Sequence, residues 1–201
     1  MDIQKTLQNF RDNGFEANYF ETKEDAAKYL NENIDNTTVG FGGSMTLSEM
    51  GILQMLESHN EVVNHWAVPD GMTVEQVLKK AMNTKVYLTS ANGASENGEL
   101  VNIDGTGNRV AGTLYGHDKV YFVVGINKFE ENLEKAIYRA RNIASPLNAK
   151  RLGKKTPCAV KGDRCYDCNS PERICRGIVI HCRKMGSCEI EVVIIGEKIG
   201  F

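Results

Sequence analysis

Two hydrophobic periods alternate along the chain. Ile3, Leu7 and Phe10 share one helical face, so residues 2–13 predict an amphipathic helix. Phe15–Phe20 reads as a short strand, and Thr22 can cap a helix over 23–33 that turns Ala26, Ala27 and Leu30 inward. Thr38–Phe41 predicts a buried strand, Thr46–Met55 a helix and Glu61–His65 a strand. Over 73–83, Val74, Val77, Leu78 and Ala81 fall on one helix face. Val86–Thr89 and Val120–Val124 are apolar, β-rich runs, as expected of strands covered on both faces. Phe129–Ile143 predicts a long helix ending near Ser145-Pro146, followed by two late strands, Ile178–His181 and Ile190–Ile195.

Strand–helix alternation of this kind predicts an α/β fold, a three-layer sandwich with a mostly parallel sheet. The 201 residues suit a single domain over 1–201, with a Cys-rich segment at 153–188 inside it. In such sheets ligands bind beyond the carboxyl ends of the strands. Two glycine-rich stretches follow predicted strands and become the candidate binding loops.

The first is Gly40-Phe41-Gly42-Gly43-Ser44, which opens a helix. Backbone N–H groups of Gly42, Gly43 and Ser44 can hold a phosphate or carboxylate there, or Ser44 can serve only as an N-cap. It is no dinucleotide fingerprint, because Met45 occupies the third glycine position. The second stretch, Ser90–Arg109, reads as a polar loop of about twenty residues. Asn92, Asn102, Asp104, Gly105 and Thr106 supply polar groups and turns, and Arg109 can meet an anion. Glu49, Glu96 and Asp104 are the candidate bases or nucleophiles. The bland alternative is Asx-turn chemistry that only shapes a large loop. His117 reads as a loop residue, His59 and His65 form no constellation, and Trp66 reads as packing.

Charge narrows the ligand class. The net charge is −2, and no basic–aromatic platform for nucleic acid is visible. Met1–Gln8 has neither the basic nor the apolar region of a signal peptide. No run of about 18 apolar residues predicts a membrane span. The expected setting is the cytoplasm, with neither a membrane nor a nucleic acid as partner. That setting matters for the six cysteines, which all lie in the last quarter of the chain. A reducing compartment disfavours disulfides, so metal or thiol chemistry is the preferred reading. Cys158, Cys165, Cys168 and Cys175 follow C-x6-C-x2-C-x6-C. Four thiolates at this spacing suit an iron–sulfur cluster, with zinc as the alternative. From Arg151 to Phe201, ten Lys and Arg stand against six Asp and Glu, and nearby cations favour thiolates. Cys182 and Cys188 read as non-ligands.

Three stretches carry a resemblance. They are Gly40–Ser44, Asn97-Gly98-Glu99-Leu100-Val101-Asn102-Ile103-Asp104-Gly105-Thr106-Gly107-Asn108-Arg109, and Cys158 with Gly162-Asp163-Arg164-Cys165-Tyr166-Asp167-Cys168-Asn169-Ser170-Pro171-Glu172-Arg173-Ile174-Cys175. Together they resemble the LUD (lactate utilization) domain family, in particular its C-type lactate utilization proteins. The resemblance spans nearly the whole chain. It implies the fold of the NagB/RpiA/CoA-transferase-like superfamily, which holds ribose-5-phosphate isomerase, glucosamine-6-phosphate deaminase and CoA transferases. Asn102–Thr106 is also similar to an Asn-Lys-Ile-Gly-Thr stretch of methylthioribose-1-phosphate isomerases there, with Asp104 in place of the isoleucine.

The function that the resemblance implies is oxidation of lactate or a related organic acid alongside iron–sulfur redox partner proteins. A small anionic metabolite would bind at the glycine-rich loops. Two alternatives stand beside it: a stand-alone isomerase or transferase for a sugar phosphate or CoA ester, and a zinc-stabilised binding module without catalysis. An apolar helix face or open sheet edge can support a homodimer.

Overall fold

The computed structural model describes residues 1–201. Its strands are β1 (Glu16–Phe20), β2 (Thr38–Phe41), β3 (Glu61–Val63), β4 (Val86–Thr89), β5 (Gly93–Ser95), β6 (Glu99–Asp104), β7 (Lys119–Gly125), β8 (Phe129–Glu130), β9 (Gly177–His181) and β10 (Glu189–Ile195). The helices are α1 (Ile3–Asp12), α2 (Lys23–Asn33), α3 (Met45–Met50), α4 (Ile52–Glu57), α5 (Val74–Ala81), α6 (Asn108–Gly112), α7 (Leu133–Arg139), α8 (Ser145–Arg151) and α9 (Pro157–Lys161).

Six strands form one sheet in the order β1-β10-β7-β4-β2-β3, and every pair in it is parallel. The central strands are apolar at successive positions because both faces are covered. Tyr121, Val123, Val193 and Ile195 pack toward α2, α3 and α4. Their neighbours Val120, Phe122, Val124, Ile190, Val192 and Ile194 pack on the other face, against Leu7 and Phe10 of α1 and Ala94 and Leu100 of a second sheet. The period of two within a continuous apolar run thus feeds two cores at once. The expected three-layer α/β sandwich is present.

The second sheet was not legible in the sequence. Its order is β8-β5-β6-β9, with β5–β6 and β6–β9 antiparallel. Most of the stretch read as a twenty-residue polar loop is this β5–β6 hairpin followed by α6. Ile178–His181, read as a late strand, pairs here with β6 and not in the parallel sheet. The outer face of this sheet packs Val101 and Ile103 against Ala136 of α7 and Ala140 beyond it.

Three further expectations are corrected. The helix over Thr46–Met55 is two helices, broken at Gly51 with φ +66°, a conformation open to glycine at little cost. The helix over Phe129–Ile143 begins only at Leu133, because Phe129–Glu130 pairs with β5. It also passes through Pro146 instead of stopping there. Residues Ala140–Ala144 form a π-helical turn, Ser145 Oγ donates to the Ala140 carbonyl at 2.8 Å, and Pro146 sits at the start of α8. A π turn shifts the ladder by one residue and lets the missing proline N–H be tolerated.

Candidate functional site

Beyond the carboxyl ends of β2, β3 and β4 lies a cleft of about 590 Å³. Gly42 and Gly43 leave β2 along one side, with His65 and Trp66 beyond β3. The opposite side comes from the β6–α6 corner, the start of α8 and residues 171–176 of the cysteine segment.

Arg109 is the hub of the floor. Its Nη2 donates to Asn92 Oδ1 at 2.9 Å and to the Ile103 carbonyl at 2.6 Å, and its Nη1 donates to Asn102 Oδ1 and to the Ser90 carbonyl at 3.3 Å. Asn92 Oδ1 accepts a second bond from the Ile103 N–H at 2.8 Å. Asn102 is completely buried, and its Nδ2 has no partner. These residues, chosen from the sequence as separate loop positions, therefore form one hydrogen-bonded group.

Asp104 shapes the corner. Its Oδ1 accepts the N–H groups of Thr106 (3.0 Å) and Gly107 (3.1 Å), and its Oδ2 that of Val110 (3.1 Å). Burial acts to raise its pKa, but Arg109 and these three N–H groups outweigh it and hold the carboxyl below its ordinary range. The Asp104 carboxylate thus satisfies the first turn of α6 from outside the helix, with Gly107 at the N-cap position. Gly105 leaves room for the cysteine segment: a Cβ there would stand 2.6 Å from the Ile174 carbonyl. The Arg176 N–H donates to the Asp104 carbonyl at 2.9 Å, fastening the same segment to the cleft.

A small cavity of about 80 Å³ adjoins this floor, lined in part by Ser90, Asn92, Arg109, Lys128, Asn148 and Arg151. Lys128 was not singled out in the sequence. It follows β7 in a short 3₁₀ turn and is only 3% exposed. Its Nζ donates to Thr46 Oγ1 at 2.7 Å and to Ser90 Oγ at 3.0 Å. None of the ion pairs in the structure includes it. Burial, then the charges of Arg139 and Arg109, push its pKa down to about 7, with Glu49 opposing. The available signal was position: a cation just past the carboxyl end of a buried parallel strand.

A family model for the LUD domain matches residues 3–195. The chain belongs to the LUD domain family. This LUD domain is similar in fold to a DUF162 family protein from Deinococcus radiodurans, at 11% identity and a TM-score of 0.54. The match covers 98% of this chain and 99% of that one. A ribose 5-phosphate isomerase from Plasmodium falciparum matches at 19% identity over 54% of this chain and 52% of that one, with a TM-score of 0.31, too low to support an argument. No curated protein matches the chain.

The remaining candidate residues of the LUD domain fall in different places. Ser44 caps α3 through the Leu47 N–H at 3.4 Å and lines the small cavity. Glu49 is exposed on α3, and its Oε2 accepts the Gly200 N–H at 3.2 Å. Glu96 lies in the β5–β6 turn against α1, where its carbonyl accepts from Asn9 and its carboxylate is 3.8 Å from the chain's amino group. It is not brought to the cleft. Two aromatic readings change. Trp66 is 46% exposed at the cleft wall, with the Arg151 guanidinium 5.7 Å over its ring. His117 is buried, stacked on Tyr87 at 4.6 Å and bonded through Nδ1 to the Thr84 carbonyl at 2.6 Å.

The four spaced cysteines lie on one segment, Cys158 to Cys175. No group of three or more His, Cys, Asp or Glu side chains in the chain is placed to hold a metal ion. Cys158 Sγ pairs with Thr156 Oγ1 at 3.3 Å, Cys165 Sγ accepts the Asp167 N–H at 3.3 Å, and Cys175 packs against the apolar cluster under α7. Burial raises the Cys175 thiol pKa. All six cysteines are free thiols. The thiol set suits zinc or an iron–sulfur cluster chemically, and Cys158, Cys165, Cys168 and Cys175 are the residues that would hold one. No helix is long and apolar enough to cross a membrane.

Proposed function

We propose that this LUD domain binds a small organic anion in the cleft and serves in the oxidation of lactate or a related acid alongside iron–sulfur partner proteins. The observation that carries the reading is the cleft's charge. Arg109, Arg151, Lys154, Arg173 and Arg176 line it, against only Asp104 and Glu172. Both carboxylates are already engaged by backbone N–H groups, Glu172 by that of Lys155 at 2.8 Å. A concave site with this surplus attracts and orients a carboxylate.

Calorimetric titration with lactate and pyruvate tests it. Binding is expected to weaken as salt rises. Arg151→Ala is expected to lower affinity about tenfold, roughly 1.4 kcal/mol. Lactate-dependent reduction of a dye should then require this chain together with its iron–sulfur partners. Absence of binding by both acids at millimolar concentration overturns the reading.

One observation favours a second reading. A cleft of about 590 Å³ is of the size that takes larger ligands, as a sugar phosphate or CoA ester would be. The same titration with ribose 5-phosphate and acetyl-CoA separates the two.

A further inference from the structure

We propose that Lys128 is an amine nucleophile that condenses with the carbonyl carbon of a 2-oxo acid held in the small cavity at the cleft floor. The inference rests on the anion-binding reading above and adds a covalent step to it.

Hydrogen-bond bookkeeping is the first support. The amine donates two bonds, to Thr46 Oγ1 and Ser90 Oγ, and has no further acceptor. A neutral amine has two N–H groups and one lone pair, so both donors are satisfied and the pair is left over. An ammonium would carry a third N–H, buried and unpaired, which is unfavourable. Charge is the second support. Buried lysines are ordinarily paired with an acid, yet the groups acting on this one are Arg139 from α7 and Arg109 from α6. Glu49 of α3 is the one opposing charge and lies outside hydrogen-bonding reach, with its Oε2 on Gly200. Desolvation and neighbouring cations are what keep a lysine nucleophilic near neutrality, in line with the pKa of about 7.

The cavity supplies the third support. At about 80 Å³ it has room for a ligand of only a few heavy atoms, since a water takes about 30 Å³ of liquid. Arg109 and Arg151 line it beside Lys128. The Arg109 Nη–H groups are already taken within the floor, so Arg151, hydrogen-bonded only to Asn148, is the guanidinium that can hold a carboxylate while the adjacent carbonyl faces the amine.

The step balances without an oxidant. The Nζ lone pair forms a bond to the carbonyl carbon, and the C=O π pair moves to oxygen. A proton passes from nitrogen to that oxygen, giving a carbinolamine. The nitrogen pair then expels the hydroxyl, which leaves with a second nitrogen proton as water, and a C=N bond remains. Ser90 and Thr46 hydroxyls are in place to carry the proton.

The test is reductive trapping on the full chain. Pyruvate with cyanoborohydride is expected to add one reduced pyruvate per chain, mapped by peptide mass to Lys128. Its pH profile should rise with a midpoint near 7. Lys128→Arg, which keeps a cation but forms no imine, should lose the label. If pyruvate binds by calorimetry but no label reaches Lys128, this inference is overturned and the anion-binding reading stands. If the label is spread over surface lysines and Lys128→Arg takes it up equally, the inference is likewise overturned. If pyruvate neither binds nor labels, both fall.

Discussion

The two ends of the parallel sheet treat a lysine in opposite ways. At the amino end, Lys119 Nζ lies 2.8 Å from Glu191 and 2.7 Å from Glu16. Glu191 is fully buried and also accepts from Tyr29 at 2.8 Å and Asn18 at 2.9 Å. Burial opposes both charges, but their mutual contact wins: the Lys119 pKa rises and the Glu191 pKa falls. At the carboxyl end, Lys128 has two hydroxyls and no acid in contact, and its pKa falls. A lysine paired with acids is held charged; a lysine buried in a cleft without one is pushed toward the neutral amine, the kind of perturbed group that marks a candidate site.

The contrast is broken first at Glu191. Glu191→Ala leaves Lys119 with Glu16 alone and strands the Tyr29 and Asn18 donors, and is expected to lower unfolding free energy by about 2–4 kcal/mol in urea titration. Because the folded Glu191 pKa lies below its unfolded value, its contribution is present above the unfolded pKa of about 4.3. It is lost as pH falls through the folded value, so the variant should show a flatter acid limb.

Lys128→Met should do the reverse. With a folded pKa of about 7 and an unfolded one of about 10.4, the unfolded state binds more protons in between, so stability rises with pH across that window. The substitution is expected to raise stability at pH 7 by roughly 2–4 kcal/mol and to abolish that rise. A destabilised Lys128→Met at pH 7 would equate the two ends and sink the comparison.

Gly105→Ala tests whether the cysteine segment is part of the cleft wall. Its Cβ would press on the Ile174 carbonyl, and a cost of about 1–3 kcal/mol is expected, with weaker anion binding. Asp104→Asn, which keeps an acceptor but loses charge beside Arg109, is expected to cost about 1 kcal/mol at pH 7. Its loss should disappear as the pH drops through the depressed folded pKa of Asp104. The smallest effect belongs to Cys165→Ser. It should move the urea midpoint of metal-free protein by less than about 0.5 kcal/mol equivalent, since a hydroxyl can accept the Asp167 N–H as the sulfur does.

Legibility followed the range of the interactions. The apolar runs of β2, β4, β7 and β10 announced a parallel sheet because each strand must be apolar on both faces. Thr22 announced its cap of α2, with its side chain accepting the Asp25 N–H. The β5–β6 hairpin was hidden because Gly93, Ser95 and Asn102 look like loop residues. They are strand residues only because β9 pairs with β6 some 75 residues later in the chain and α7 covers the result. The capping of α6 was hidden because Asp104 reaches forward to Val110 from a strand end. Lys128 left almost no local trace: its pKa depends on Arg139, Arg109 and burial, all supplied from elsewhere in the chain.

By itself the sequence determined the α/β class, the strand ends where the cleft opens, the polar set at Asn92, Asn102, Asp104 and Arg109, and the cysteine spacing. Those follow from local periodicity and residue chemistry. Tertiary structure alone decided that the polar set converges on one guanidinium, that Lys128 sits beneath it unpaired, and that the cysteine segment walls the cleft. Electrostatic energies depend on distance and solvent exclusion, and neither exists along a chain until it folds.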